Sequence, residues 1–136
     1  MAEITVQLRS IYGTAAAVGW AGSHTLIVDR PEGKAGGAGL GFNGGELLGL
    51  AIGGCLCNDL PYVAHDLGVR LSSIEVDVTL ALEGHPLLAT EAVILVKVDT
   101  QDKMTDLRPL VERAVAISTV SNSLKRGLSV KVERSR

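Results

Sequence analysis

The sequence predicts an α+β fold in which antiparallel sheets surround one long, buried central helix. Three observations predict it. Apolar and polar residues alternate at period two near both ends of the chain, as in half-buried strands. A long, nearly all-round apolar stretch between them reads as a helix. The resulting order, three strands, helix, two strands, helix, strand (βββαββαβ), is not the alternation that builds a parallel βαβ sheet.

Ile4, Val6 and Leu8 alternate with Glu3, Thr5, Gln7 and Arg9, which gives a first strand. Tyr12 and Gly13 break it, and Thr14 to Trp20 supplies a second. Ala21-Gly22-Ser23 turns the chain into a third around His24 to Asp29, so the three form an antiparallel meander. The glycine-rich stretch from Gly33 to Gly45 reads as a loop running close against another surface, because glycine lets backbones approach.

The main helix is predicted from about Glu46 to Leu67, with Asn43 as its cap and Gly68 at its stop. Leu56, Leu60, Val63, Ala64 and Leu67 recur at helical spacing, and Leu47, Leu48, Leu50, Ala51 and Ile52 make the earlier turns apolar all round. Such a segment is buried on several sides, which predicts a homodimer. Pro61 cannot donate to the Cys57 carbonyl, so a kink or loosened turn is expected just after the cysteines. Ile74 to Leu82 then alternates cleanly, Gly84-His85-Pro86 turns, and Leu88 to Val98 reads as a more apolar, central strand. A second helix is expected from near Thr105 or Asp106, with Pro109 in its first turn. Ser118 to Arg126 reads as polar and turn-prone, and Leu128, Val130 and Val132 as a last strand. No repeat or linker divides residues 1–136, so a single domain is expected.

Composition narrows the function. The chain has 136 residues, 46% of them hydrophobic, enough for a core without staples. Only 3% are aromatic and the net charge is −2, so the basic face and stacking platforms of a nucleic-acid binder are missing. The N-terminal residues carry no cleavable leader pattern, and no uninterrupted apolar run reaches the roughly 20 residues of a membrane span. Two cysteines two residues apart suit a reducing compartment, and a cytoplasmic location is expected.

Gly39-Leu-Gly41-Phe-Asn-Gly44 spells G-x-G-x-x-G, but it does not follow directly on a strand within a βαβ unit, as dinucleotide binding requires. Cys55 and Cys57 are chemically the richest residues. A buried cysteine often serves simply as a small hydrophobe. Positions two apart on a helix point about 200° apart, so an intrahelical disulfide is not expected. His24, His65 and His85 are scattered, which leaves no metal set, and no cofactor is expected.

The run Asn43-Gly-Gly-Glu46-Leu-Leu-Gly-Leu-Ala-Ile-Gly-Gly-Cys55 resembles the N-P-x-E-L-L-x-x-A-x-G-G-C signature of the OsmC/Ohr superfamily. Gly68-Val-Arg-Leu-Ser-Ser-Ile-Glu-Val-Asp-Val resembles that family's exit from the helix into the next strand. Val120-Ser-Asn-Ser-Leu-Lys-Arg-Gly is similar to its C-P-V-S-N-S-L segment, and His24 to Pro31 to its strand leading into the glycine loop.

The resemblance implies an intertwined homodimer with active sites at the interface. It also implies a thiol-dependent peroxidase that reduces organic or hydrogen peroxides. By position Cys55 matches the peroxidatic cysteine, whose thiolate attacks the O–O bond and becomes a sulfenic acid. The resolving cysteine is replaced by Ser118, so turnover would need an external thiol reductant or Cys57, for which a packing role beside Leu60 and Ala64 is expected. The family's activating acid falls at Gly45, leaving Glu46 as the acidic candidate. Arg30 and Arg126 are the candidates for the activating arginine. Asp59, four residues after Cys55 on the same helical face, works against thiolate formation. These departures leave an alternative: a non-catalytic dimer of the same fold that binds a small apolar or acyl ligand in its interface pocket.

Overall fold

The structure, a computed structural model, describes residues 1–135. It is α+β, with strands β1 (Gln7–Ser10), β2 (Ala17–Ala21) and β3 (His24–Val28), helix α1 (Gly44–Asp66), strands β4 (Leu71–Glu83) and β5 (Leu88–Thr100), and helices α2 (Arg108–Ile117) and α3 (Thr119–Arg126). The chain forms two compact units, Met1–Leu48 and a second beginning at Gly49, with α1 begun in the first and completed in the second.

In the first unit β1, β2 and β3 form an antiparallel meander with β2 in the middle. Leu8 lies opposite Gly19, and Gly19 opposite Leu26, so these share the face that also carries Val6 and Val28 by the period of two. The strands begin later than the alternation predicts: Glu3 to Val6 stay outside β1 and Thr14 to Ala16 outside β2, where Thr14 instead closes a turn onto the Ile11 carbonyl.

The glycine-rich loop follows β3 and is folded back on it. Phe42 N–H donates to the Ile27 carbonyl at 3.0 Å, and Asp29 N–H donates to the Phe42 carbonyl at 2.9 Å. Gly41 makes this approach possible, since a Cβ there would sit 2.0 Å from the Ile27 oxygen. A Cβ at Gly37 would come within 2.7 Å of the Arg30 and Pro31 carbonyl oxygens. The G-x-G-x-x-G glycines thus serve close backbone contact and the start of α1.

The second unit is built on the apolar face of α1. Leu56, Leu60, Val63 and Ala64 pack with Leu110 and Ala114 of α2, and Ile74, Val76, Ile94, Val96 and Val98 of the β4–β5 hairpin cover them. Gly53 lets helix and sheet close up, its Cβ position lying 3.0 Å from a Val78 methyl. The helix continues through Pro61 and stops at Gly68, with φ +69. There Val69 N–H reaches the Ala64 carbonyl and Gly68 N–H the His65 carbonyl, a Schellman pair that satisfies the last carbonyls. By length and hydropathy alone α1 would pass for a membrane span, but its buried side chains are those of a core helix.

Two expectations for the C-terminal region are corrected. Residues 119–126, read as turn-prone, form α3, an exposed polar helix stopped by Gly127 at φ +82. Single polar residues conceal a helix when no buried stripe marks its period. Leu128, Val130 and Val132 do not form the expected last strand, so the order ends αα rather than αβ. Their side chains are 66, 80 and 88% exposed. A strand needs a neighbouring ladder for its backbone groups, and residues 128–132 pair with no strand among the described residues.

Candidate functional site

Helix α1 carries the thiols. Cys55 and Cys57 are both free and half-buried. Two buried turns, Ile52–Gly53 and Leu56, flank Cys55 and hold its stretch of helix on the sheet. The Cys55 thiol donates a hydrogen bond to Asp59 Oδ2 at 3.6 Å, a length set by the large sulfur atom. The bond is possible because residues four apart on a helix are neighbours.

Glu46, the acidic candidate, lies in the first turn of α1. Its Oε1 accepts the Asn43 N–H at 2.9 Å, and Asn43 Oδ1 accepts the Glu46 N–H at 2.8 Å. This reciprocal pair is a capping box, and the carboxylate also sits favourably at the positive end of the helix. Arg30 follows β3, with an exposed side chain and a backbone N–H bonded to Asp29 Oδ1. Arg126 ends α3 and is also exposed. Glu46 and Arg30 belong to the first unit, Cys55 and Arg126 to the second.

Asp29 was not singled out by sequence reasoning. Its buried carboxylate accepts N–H bonds from Leu40 at 3.1 Å, Ala38 at 3.0 Å and Arg30 at 2.8 Å. The Leu40 and Ala38 N–H groups, helped by that of Arg30 and opposed by burial, hold its pKa below the usual carboxylate range. The available signal was an aspartate ending a strand just before a glycine-rich loop. The first unit also holds a cavity of about 250 Å³ on its apolar sheet face, lined by Val6, Leu8, Leu26, Val28 and Leu47 with His24 beside them. Gly19 adds no side chain to this face, where a Cβ would stand 3.4 Å from Leu8.

Ser118 joins α2 to α3 and is 1% exposed, with Oγ lacking any hydrogen-bond partner among the described residues. No cluster of metal-ligating side chains occurs among the described residues.

An α+β chain whose long core helix presents a half-buried free thiol is the class that fold and site define. Residues 36–133 match the family model for OsmC-like protein. The chain belongs to the OsmC-like protein family. Solved structures agree on the fold. An OsmC-like protein of unknown function from Vibrio cholerae superposes with a TM-score of 0.79 at 12% identity, over 90% of this chain and 94% of that one. The organic hydroperoxide resistance protein OhrB of Bacillus subtilis gives 0.59 at 22% identity, over 96% of both chains. An organic hydroperoxide resistance protein from Vibrio cholerae, with captopril bound in one of its active sites, gives 0.65 at 17% identity, over 92% of this chain and 87% of that one. No curated protein matches the sequence.

Proposed function

We propose that this protein is a cytoplasmic, thiol-dependent peroxidase that reduces organic or hydrogen peroxides through Cys55. The observation that carries the reading is a free, half-buried thiol on α1, inside the matched family segment, already hydrogen-bonded to an ionisable side chain. Sulfur attack on the peroxide would break the O–O bond, release an alcohol or water, and leave a sulfenic acid. With Ser118 in the resolving position, an external thiol completes the cycle. Family neighbours named for organic hydroperoxide resistance support the substrate class. A homodimer is part of the same reading. It is supported by the exposed apolar residues Val6, Leu8, Val93, Leu95 and Val130, which one chain leaves uncovered. Glu46, occupied in its capping box, is proposed to act on the helix rather than on the thiol.

A second reading is favoured by the apolar cavity and by Ser118. In it the protein is a non-catalytic family member that binds a small apolar or acyl ligand. Intact-mass spectrometry separates the two. Reduced protein and Cys55→Ser are exposed for seconds to one equivalent of an organic hydroperoxide. Fast oxidation that needs Cys55 supports the peroxidase. Equal, slow oxidation of both leaves the ligand-binding reading.

A further inference from the structure

Resting on the peroxidase reading, we propose that Asp59 takes the proton from the Cys55 thiol and passes it to the oxygen that leaves. The 3.6 Å bond from Sγ to Oδ2 already sets the thiol against the carboxylate. A thiol left to itself is mostly protonated at neutral pH, and only the thiolate is strongly nucleophilic. A carboxylate in contact with the sulfur removes this obstacle if the proton moves as the S–O bond forms, which is general-base catalysis.

The surroundings leave this role to Asp59. The sheet residues facing this part of α1 are apolar: Leu80 meets Gly49, while Val78 and Val76 meet Gly53. Arg113 of α2 pairs with Asp66, seven residues beyond Asp59. Tyr62 and His65 are exposed further along α1, and Cys57 makes no side-chain hydrogen bond among the described residues. Within the unit beginning at Gly49, Asp59 is therefore the titratable group bonded to the sulfur.

The step balances. The thiol proton moves to the Asp59 carboxylate while sulfur bonds to the terminal oxygen of R–O–OH, and the O–O bond breaks. Sulfur is oxidised by two electrons to the sulfenic acid, and the peroxide is reduced to an alkoxide. That alkoxide takes the proton back from Asp59 and leaves as the alcohol, which restores the carboxylate.

The test measures sulfenic acid formation with tert-butyl hydroperoxide from about pH 6 to about pH 8 in the full-length protein, Asp59→Asn and Asp59→Glu. The wild-type rate should stay level across this range. Asp59→Asn should be slower by roughly a hundredfold near neutrality and should climb about tenfold per pH unit, following thiol ionisation alone. Asp59→Glu should keep the level profile, and it decides the matter if the Asn variant fails to fold by circular dichroism. An Asn variant as fast as wild type, or faster, with an unchanged profile overturns the proposal, as does a sloping Glu profile. Failure of the peroxidase reading looks different, because wild type and Cys55→Ser would then oxidise equally slowly.

Discussion

Asn43 and Glu46 each hold the other's backbone N–H, at 2.8 and 2.9 Å, and this exchange fixes where α1 begins. The pair accounts for an acid at Glu46, one residue past the position where the family resemblance implies the activating acid. Glu46→Ala should therefore lower stability by about 1 kcal/mol in urea denaturation, and Asn43→Ala by a similar amount. The rate of Cys55 oxidation in Glu46→Ala should remain within about twofold of wild type. A loss of the size expected for a removed acid–base group, roughly a hundredfold, would return Glu46 to the chemistry.

Asp29 gives the structure a pH dependence. Its folded-state carboxyl is held below the value it takes in the unfolded chain, by the Leu40, Ala38 and Arg30 N–H groups. The stability it contributes is thus complete above the ordinary carboxylate range and is lost as pH falls through the lowered folded value. Denaturation midpoints should decline below about pH 4 in the wild type and more gently in Asp29→Asn. Parallel profiles would remove Asp29 from the account.

Gly41 tolerates no side chain. A methyl group there would overlap the Ile27 carbonyl, so Gly41→Ala should cost roughly 2 to 3 kcal/mol or prevent folding, whereas Gly54→Ala, with open space around it, should be nearly neutral or stabilising. Thermal melts of the two variants make the comparison.

The fold was largely legible because its signals are local and physical. The clean alternation from Ile74 to Leu82 and the spacing of Leu56, Leu60 and Val63 each report one buried face, and both elements formed. Asn43 was readable as a cap from residue type and position. What could not be read depends on contacts distant in sequence. The clamp from Asp29 to Ala38 and Leu40 spans nine and eleven residues of irregular loop. Helix α3 has no buried side chain to betray its period, and the alternation of Leu128 to Val132 promises a strand without saying which strand would accept it. The thiol was legible from the family signature, whereas the bond it makes to Asp59 emerges only from their 3.6 Å separation in the fold.

Ser118 buries a hydroxyl without a partner, and an unpaired buried donor carries a desolvation penalty. Ser118→Ala should leave stability unchanged or raise it by about 1 kcal/mol in denaturant titrations. A clear loss would indicate that the hydroxyl is satisfied in solution.

Sedimentation should give twice the 14.2 kDa chain mass at micromolar concentration. A single-chain mass would remove the homodimer from the proposed function.

The loop between β3 and α1 consists of a stem and a tip with different histories open to them. Asp29, Gly41 and Phe42 bolt the stem to β3, while the tip closes on itself through Lys34 N–H to the Pro31 carbonyl and Gly37 N–H to the Lys34 carbonyl. Mutational drift, and length changes above all, can therefore accumulate around Lys34 and Ala35 without reaching the start of α1. The same tip is the place where an engineer could graft an epitope or a fluorophore and leave the thiol-bearing helix undisturbed.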